Sequence, residues 1–371
     1  MNWLQNGNLA KLVAFFVIAI VITCTVSFAA NGWQSFIEDT NSDNVANNDG
    51  NKLEENKGEN TDNKENDVPV IAPEPKYYHY ITGLETTLEA SLKKPLCVVF
   101  SSQDPMYGIS SSFMTIEIPV EYGNTRLLCF TDDAQTLGKL GSIAPSRGYI
   151  SNFATYFGGV LLSYGYDDAF SYDYYQPNNH LDFAGTTGYC YTEYNTMVYT
   201  NGDLVNAFIN NSKINTVTND NVKLPYEFIE VSADPVYGDQ NATNVVVKYS
   251  DSNSTELVFS SIDNRYYFSK NSGAKNDLLN DKSLSYDNVF ILYADSTTYE
   301  TADSTQIVLN TATSGRGKYV SHGKMIDITW SKDISGNLTF CNADGEKIFV
   351  NRGTSYVAVV KSSNESFVKI S

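Results

Sequence analysis

The segment GKLGSIAPSRGYISNF, residues 138–153, carries the side chains best suited to binding an anion. Small and turn-forming residues surround a single arginine, Arg147, and an amphipathic run follows it directly. The start of a helix offers free backbone N–H groups, and an arginine adds a forked pair of donors. We therefore predict a ligand-binding site formed by Arg147, Ser146 and Tyr149, which Arg126 joins from a neighbouring hairpin.

Two carboxylates, Glu117 and Glu121, are the candidates for acid–base chemistry. In FMTIEIPVE they fall on the same polar face of a predicted strand, four residues and roughly 13 Å apart. Glycosidases need carboxylates about 5–10 Å apart, so a solvated strand face is the favoured interpretation. Either glutamate could instead pair with Arg147 and fix its loop to the sheet, and Glu121 could pair with Arg126 across the hairpin.

Other catalytic and metal-binding patterns are missing from the sequence. The histidines, His79, His180 and His322, form no HExxH or other metal-binding pair, and no GxSxG motif indicates a nucleophile elbow. His180 lies near Asp182 in QPNNHLDF, a context more typical of an exposed loop or turn than of catalysis. There is no P-loop or dinucleotide fingerprint. We predict no metal and no cofactor, and the catalytic residues of any activity stay unknown.

A tyrosine-rich region offers a different kind of binding surface. Tyrosine combines a large contact area with a polar group, which suits sugars and protein partners. The alternative, which we favour, is that tyrosine replaces phenylalanine on strand surfaces in a chain with 26 tyrosines. The residues concerned are Tyr172, Tyr174, Tyr175, Tyr189, Tyr191 and Tyr194.

Strands and helices in mixed order must position these side chains between residues 77 and 235. LETTLEASLKK predicts a short amphipathic helix with leucines at every fourth position from Leu84 to Leu92. Apolar or alternating runs predict strands in LCVVF, FMTIEIPVE, TRLLCF and GGVLLSYG, and Pro119 indicates an edge strand or a bulge. Helical spacing in RGYISNFATYF and GDLVNAFINNSK predicts two helices.

From about residue 236 the pattern changes to short strands separated by turns. NADG lies between two alternating runs and predicts a hairpin. We therefore predict an α+β chain: a mixed α/β N-terminal domain, residues 77–235, with a sheet covered by helices, followed by an antiparallel β-rich domain, residues 236–371.

Composition restricts the partners of the chain. With 43 acidic and 25 basic residues the formal net charge is −18. This argues against sequence-independent nucleic-acid binding, which needs clustered lysine and arginine. Apolar residues make up 42% of the sequence, which is enough for a sizeable core.

The N-terminus carries the strongest location signal. An uncharged apolar run from Leu12 to Ala30 would span roughly 28 Å as a helix, close to the thickness of the bilayer hydrocarbon. Residues 1–36 are predicted to be a signal peptide cleaved near SFAANG, a retained single-pass anchor, or a segment lipidated at Cys24. Residues 37–76 are predicted to be a disordered acidic linker. All three alternatives make the membrane a partner and place the folded part outside the cytoplasm.

Four further cysteines follow the linker: Cys97, Cys129, Cys190 and Cys341. None has the CxxC spacing of a zinc site. Cys97 and Cys129 lie in apolar strand-like runs, which predicts buried free thiols. A disulfide between these two is the alternative.

Five segments carry a family resemblance: YITGLETTLEASLKKPLCVVF, VEYGNTRLLCF, LGSIAPSRGYISNF, SGRGKYVSHGKMIDITWS and GEKIFVNRGTSYVAVV. They are similar to the YerB-like lipoproteins, a two-part bacterial envelope family that carries a domain of unknown function, DUF3048. The resemblance covers nearly everything from residue 80 to residue 361. It implies an exported, membrane-tethered protein of Gram-positive type, divided near residue 235, and it implies no established reaction.

The chain departs from the family pattern in three places, one of which is the poor lipid-attachment context of Cys24. Ala144 stands where the first of two loop arginines would fall, and YNTMVYT, 194–200, lacks the histidine of the corresponding segment. We expect a binding or regulatory module of the cell envelope with an anion or glycan site in an inter-domain cleft. Its expected partner is cell-wall glycan or another envelope protein. The alternatives are a cell-wall polymer-modifying enzyme using carboxylates in that cleft, and a purely structural scaffold.

Overall fold

β-Strands form most of the regular structure, which a computed structural model describes for residues 75–166, 179–194, 196–218, 222–235, 238–300, 305–311 and 313–371. The predicted N-terminal segment, most of the predicted linker, and Tyr172, Tyr174 and Tyr175 lie outside these residues. Within the described ranges, no helix is long and apolar enough to cross a membrane.

Among the described residues before position 235, the regular structure includes short strands and three α-helices. The helices are α1 (Leu88–Ser91), α2 (Gly148–Tyr156) and α3 (Gly202–Ser212). The strands are β1 (Tyr77–Tyr78), β2 (Glu85–Thr86), β3 (Leu96–Ser101), β4 (Met114–Pro119), β5 (Thr125–Thr131), β6 (Leu140–Ile143), β7 (Val160–Ser163), β8 (His180–Asp182), β9 (Tyr191–Glu193), β10 (Met197–Thr200) and β11 (Glu227–Phe228).

Strands dominate the part after residue 235. They are β12 (Gln240–Asn241), β13 (Asn244–Ser250), β14 (Asn253–Ser260), β15 (Arg265–Lys270), β16 (Gly273–Ala274), β17 (Ser285–Tyr286), β18 (Asn288–Ala294), β19 (Ser296–Glu300), β20 (Thr305–Leu309), β21 (Ser314–Ser321), β22 (Lys324–Lys332), β23 (Leu338–Cys341), β24 (Phe349–Val350), β25 (Ser355–Lys361) and β26 (Val368–Ile370). This confirms the β-rich C-terminal part. Most of its strand pairs are antiparallel, whereas β18 and β25 pair in parallel.

A 14-stranded central sheet joins strands from both parts of the chain. Its main path runs β12-β22-β21-β18-β25-β4-β5-β3-β6-β10-β9, with β7, β8 and β23 attached at its sides. A six-stranded sheet contains β16, β15, β14, β13 and β26 in that order, with β17 paired to β15. Residues Pro73–Ser371 form one compact unit. The boundary at 235/236 and a separate mixed α/β domain stay predictions.

In the middle of the central sheet, each face packs on its own hydrophobic core. One core contains apolar residues of the six-stranded sheet and of α3. The other contains residues of α2, including Ile150 and Phe153, together with Ile116 and Ile118 of β4. Because side chains alternate along a strand, Glu117 of β4 faces the first core while its neighbours face the second.

The predicted helix in LETTLEASLKK is much shorter than its periodicity suggests. α1 is a single turn whose first residues are capped by Thr87, which accepts the N–H of Ala90 at 3.2 Å. Leu84, Leu88 and Leu92 are 46%, 49% and 42% exposed. Because most helical stability in proteins comes from packing an apolar face, these exposed leucines do not extend the helix.

The expectation that Pro119 marks an edge strand or a bulge is wrong. β4 lies inside the central sheet, parallel to β25 and antiparallel to β5. Pairing with β25 ends at Glu117, two residues before Pro119. The missing N–H of the proline is therefore not needed by the ladder to β25.

The four described cysteines are free thiols. Cys97 and Cys129 lie on neighbouring strands, but they belong to cores on opposite faces of the sheet. The predicted buried thiols are confirmed, and the alternative disulfide is wrong. Burial raises the pKa of both thiols, that of Cys129 to about 12.

Candidate functional site

Arg147 lies immediately before α2, as the sequence predicts. Its carbonyl oxygen accepts the N–H groups of Ile150 and Ser151, each at 2.9 Å. Its side chain donates to Glu121, with Nε 3.3 Å from Oε1 and Nη2 2.9 Å from Oε2. Nη1 donates to the carbonyl oxygen of Ser146 at 2.9 Å. An ion pair with Glu121, one of the structural alternatives, is therefore present.

Ser146 and Tyr149 are also engaged within the protein. The backbone N–H of Ser146 donates to the carbonyl oxygen of Gly165 at 2.9 Å, and its fully buried hydroxyl lies 3.2 Å from that of Ser151. The hydroxyl of Tyr149 donates to the carbonyl oxygen of Pro119 at 3.2 Å. These contacts hold the loop before α2 against the end of β4.

Arg126 has fewer partners than Arg147. It lies on β5 opposite Ile118 and is partly buried. Its Nη1 is 3.5 Å from the carbonyl oxygen of Thr125, and its buried Nε has no hydrogen-bond partner. Among the described residues, no carboxylate oxygen lies within 4.0 Å of its guanidinium. Arg126 therefore has unused hydrogen-bonding capacity.

Arg126 and Arg147, which we name the arginine pair, influence each other electrostatically. Burial and the charge of Arg147 lower the pKa of Arg126, while Glu121 and Asp104 oppose that shift. Burial by itself raises the pKa of Glu121, but the hydrogen bonds and charge of Arg147 outweigh it and hold that pKa below its ordinary value. The carboxylate of Glu121 thus binds the guanidinium of Arg147 directly and acts on that of Arg126 only through its charge.

Glu117 is fully buried, so the expected solvated strand face is wrong. Its carboxylate forms an ion pair with Lys270 of β15 and accepts the hydroxyl of Tyr356 of β25. The hydroxyls of Thr125 and Thr255 also donate to it, each at 2.6 Å. These five residues, which we name the buried cluster, join the central sheet to the six-stranded sheet.

The sequence holds a signal for this cluster. In RYYFSK, Tyr266, Phe268 and Lys270 share one strand face because they occupy alternate positions. A lysine that continues an apolar face must be paired, because burying an isolated ammonium is costly. The period-two pattern could therefore identify Lys270 as a buried cation, but not Glu117, 153 positions away, as its partner.

Glu117 favours its ionised form although it is buried. Burial alone raises its pKa, but the charge and hydrogen bond of Lys270, with the bonds from Thr125 and Thr255, outweigh this and hold the pKa below its ordinary value. Burial and the charge of Glu117 raise the pKa of Tyr356, which keeps its hydroxyl a donor. Because the carboxylate is fully enclosed, its contacts assign it a structural role.

Two of the three histidines, His79 and His180, are buried. His180, expected in an exposed loop or turn, is buried in β8, with Nε2 2.9 Å from the hydroxyl of fully buried Ser163. Burial lowers the pKa of His180 to about 4. Nε2 of His79 lies 3.2 Å from a carboxylate oxygen of Asp132. In the described part of the chain, no group of three or more His, Cys, Asp or Glu could hold a metal ion.

The described tyrosines of the predicted binding surface differ in exposure. Tyr189 stacks on Phe208, with ring centroids 4.4 Å apart. Tyr194 is 73% exposed, whereas Tyr191 is partly buried. These three tyrosines therefore lie in different environments.

A cavity of about 420 Å³ lies over β21 and β22, and its lining includes two carboxylates, Asp327 and Glu365. Each already has a cationic partner. Lys318 Nζ lies 2.5 Å from Asp327, and Arg316 Nη2 lies 2.6 Å from Glu365. Each ion pair would have to open before its carboxylate could act on a ligand.

Comparisons with known proteins address the family and the fold. The C-terminal domain of DUF3048, a protein of unknown function, matches residues 245–357. The crystal structure of YerB from Bacillus subtilis is similar, with a TM-score of 0.66 and 18% sequence identity over 80% of this chain and 100% of that chain. No curated protein matches the chain. At this identity the structural likeness shows a shared fold.

Proposed function

The chain is a YerB-like member of the DUF3048 family, and on that premise we propose that it is an exported binding module of the cell envelope. It binds an anion or an anionic glycan at the arginine pair. Residues 1–36 take it to the membrane, and the acidic linker, 37–76, separates the membrane from the folded part. The apolar run and the linker composition support this arrangement.

The observation that carries the proposed site is the incomplete set of partners of Arg126. A partly buried cation without a counter-charge in direct contact is costly, because little replaces the water that it has lost. An anionic ligand would supply that counter-charge and accept two parallel N–H bonds from the guanidinium. We therefore assign ligand contact to Arg126.

Arg147 has a positioning role in this proposal. Its bonds to Glu121 and to the Ser146 carbonyl fix the loop before α2. Its charge adds to the local positive potential beside Arg126. Ser146 and Tyr149 hold the same loop through their internal hydrogen bonds.

Binding to cell-wall material tests the site. The full chain is mixed with Gram-positive cell-wall fragments at low salt, and the bound fraction is measured by co-sedimentation. Arg126→Gln should weaken binding about tenfold, since a charge-assisted hydrogen bond contributes about 1.5–3 kcal/mol. The control, Lys282→Gln, removes one charge from an exposed side chain elsewhere. Equal binding by Arg126→Gln and wild type would refute the site and favour a structural scaffold.

Cell fractionation tests the location. Expressed in a Gram-positive host, the full chain should be recovered with the membrane or outside the cytoplasm. Mass spectrometry of the mature N-terminus then distinguishes cleavage, lipidation at Cys24 and retention of the apolar run. Recovery of the intact chain in the cytosol would contradict export.

A polymer-modifying enzyme is the second candidate function. Glu117 is enclosed and Glu121 is paired with Arg147, so the observation in its favour is the cavity with Asp327 and Glu365. Release of soluble sugar from cell-wall fragments by the full chain would support it. That release should disappear in both Asp327→Asn and Glu365→Gln.

A further inference from the structure

A second cavity, of about 380 Å³, lies at the C-terminal end of α2, whereas Arg147 precedes the N-terminus of that helix. We name it the lysine cavity. Among the described residues its lining has no aspartate or glutamate. The lining includes three lysines and three asparagines: Lys94, Lys223, Lys332, Asn152, Asn179 and Asn337.

The three lysines lack close counter-charges. In the described ranges, no carboxylate oxygen lies within 4.0 Å of any of their ammonium groups. Asp333 exerts its charge on Lys223 at longer range, but its carboxylate accepts two hydrogen bonds from Asn337, each at 2.8 Å. In a chain with a net charge of −18, three lysines lining one cavity form a local region of positive charge.

Asn152 adds an independent observation. It is only 7% exposed, and it lines the lysine cavity. Its side-chain amide has no hydrogen-bond partner among the described residues, and its polar atoms keep access to solvent, so a molecule in the cavity can reach them. A ligand oxygen in the cavity would accept a hydrogen bond from the N–H group of this amide.

The end of α2 does not account for the lysines. A helix C-terminus carries a partial negative charge and can attract cations. Here the backbone closes the helix: Phe157 N–H donates to Phe153, Gly158 N–H to Thr155 and Gly159 N–H to Ala154. The ammonium of Lys332 instead lies 4.9 Å from the centre of the Tyr156 ring.

We propose that the lysine cavity binds the phosphate group of a phosphate ester. A phosphate concentrates negative charge and acceptor oxygens in a small volume, and lysine binds it as a point charge. The cavity exceeds one phosphate group, so the alcohol part of the ester also fits inside. This second site is independent of the arginine pair.

Calorimetry on the full chain at low ionic strength tests the proposal, with glycerol 3-phosphate as the probe. Lys223→Gln, Lys332→Gln and Asn152→Ala should each weaken binding about tenfold. Lys282→Gln and Lys369→Gln, which change exposed lysines elsewhere, should bind like wild type. Lys223 is itself exposed, so its substitution leaves the fold intact and keeps the test valid if another variant unfolds.

Further arms separate the possible outcomes. Poly(glycerol phosphate) that binds more tightly than the monomer identifies a polymer as the source, and preference for the monomer identifies a free ester. Equal binding of glycerol or of citrate would overturn the proposal, as would cavity variants that bind like wild type. Arg126→Gln should leave this affinity unchanged, so failure at either site is recognised separately.

Discussion

Glu117 and Glu121 are four positions apart, and each pairs with a cation, but the two ion pairs differ in burial and origin. The side chains of Glu117 and Lys270 are 0% and 1% exposed, whereas those of Glu121 and Arg147 are 9% and 16% exposed. Lys270 comes from a different sheet, while Arg147 lies on the loop before α2. The first pair joins two sheets, and the second fixes one loop.

The contrast arises from what covers each glutamate. Glu117 points from β4 toward the six-stranded sheet, so its carboxylate loses all contact with water. Glu121 follows β4, in the turn Glu121–Gly123, where it retains slight exposure. A strand pattern predicts the side on which a carboxylate lies but not whether another layer covers that side.

The largest expected effect is at the buried pair. Lys270→Met should lower the free energy of unfolding by about 3–5 kcal/mol, because it leaves Glu117 buried without a counter-charge. Urea denaturation at pH 7 measures the change, with exposed Lys282→Met as the control. A loss below about 1 kcal/mol would show that the buried pair stabilises no more than a surface pair.

A double variant separates loss of charge balance from loss of packing. Glu117→Gln with Lys270→Met should recover at least half of the stability lost by the lysine variant alone. The glutamine oxygen still accepts hydroxyl bonds, and no unpaired charge is left in the core. No recovery would mean that the lysine acts through its packing.

The next effect concerns pH and involves both pairs. Glu117 and Glu121 have pKa values below ordinary ones in the folded state. Their contributions to stability are fully present above the unfolded pKa of about 4.3 and are lost as the pH falls through the folded values. Unfolding measured between pH 7 and pH 3 should show this loss.

In the double variant of the buried pair, the free energy of unfolding should depend less steeply on pH, because, of the two glutamates, only Glu121 is left. Stability that rises on acidification would contradict the lowered pKa values.

A smaller effect is expected at the partly exposed pair. Arg147→Met should lower the free energy of unfolding by about 1–2 kcal/mol, since solvent compensates Glu121 better than it could compensate Glu117. Thermal or urea unfolding checks the value against Lys270→Met in the same buffer. A loss as large as that of Lys270→Met would remove the distinction between the pairs.

The smallest effect should come from Arg126. Arg126→Met should change the free energy of unfolding by less than about 1 kcal/mol, because no close carboxylate loses a partner. Urea unfolding beside Arg147→Met measures the difference within the arginine pair. A loss larger than that of Arg147→Met would show that Arg126 has a structural role, contrary to the ligand contact proposed for it.

Sequence patterns predicted individual elements better than their environments. The strand at β4 and the helix that begins after Arg147 were predictable, because their apolar positions recur with periods of two and about 3.6. The pattern in LETTLEASLKK gave too long a helix, since its leucines stay nearly half exposed. The apolar N-terminal run favoured export, the acidic composition argued against nucleic-acid binding, and the location stays a prediction.

The candidate sites show the same limit. Sequence alone identified Arg147 and left Glu117 or Glu121 as its possible partner, and the structure shows Glu121. Sequence alone did not identify the buried cluster or the lysine cavity. Those sites combine side chains from separate segments, such as Lys94, Lys223 and Lys332.

The amino-acid sequence determined the strand-rich character, the position of Arg147 before a helix and the acidic balance of charge. These properties depend on local periodicity, turn chemistry and composition, which the order of the residues defines without the fold. Only the tertiary structure decided that Glu117 is buried, that Arg126 lacks a close carboxylate and that three lysines share a cavity. Those outcomes depend on which distant strand or loop covers a side chain, and burial then decides how strongly its charge must be compensated.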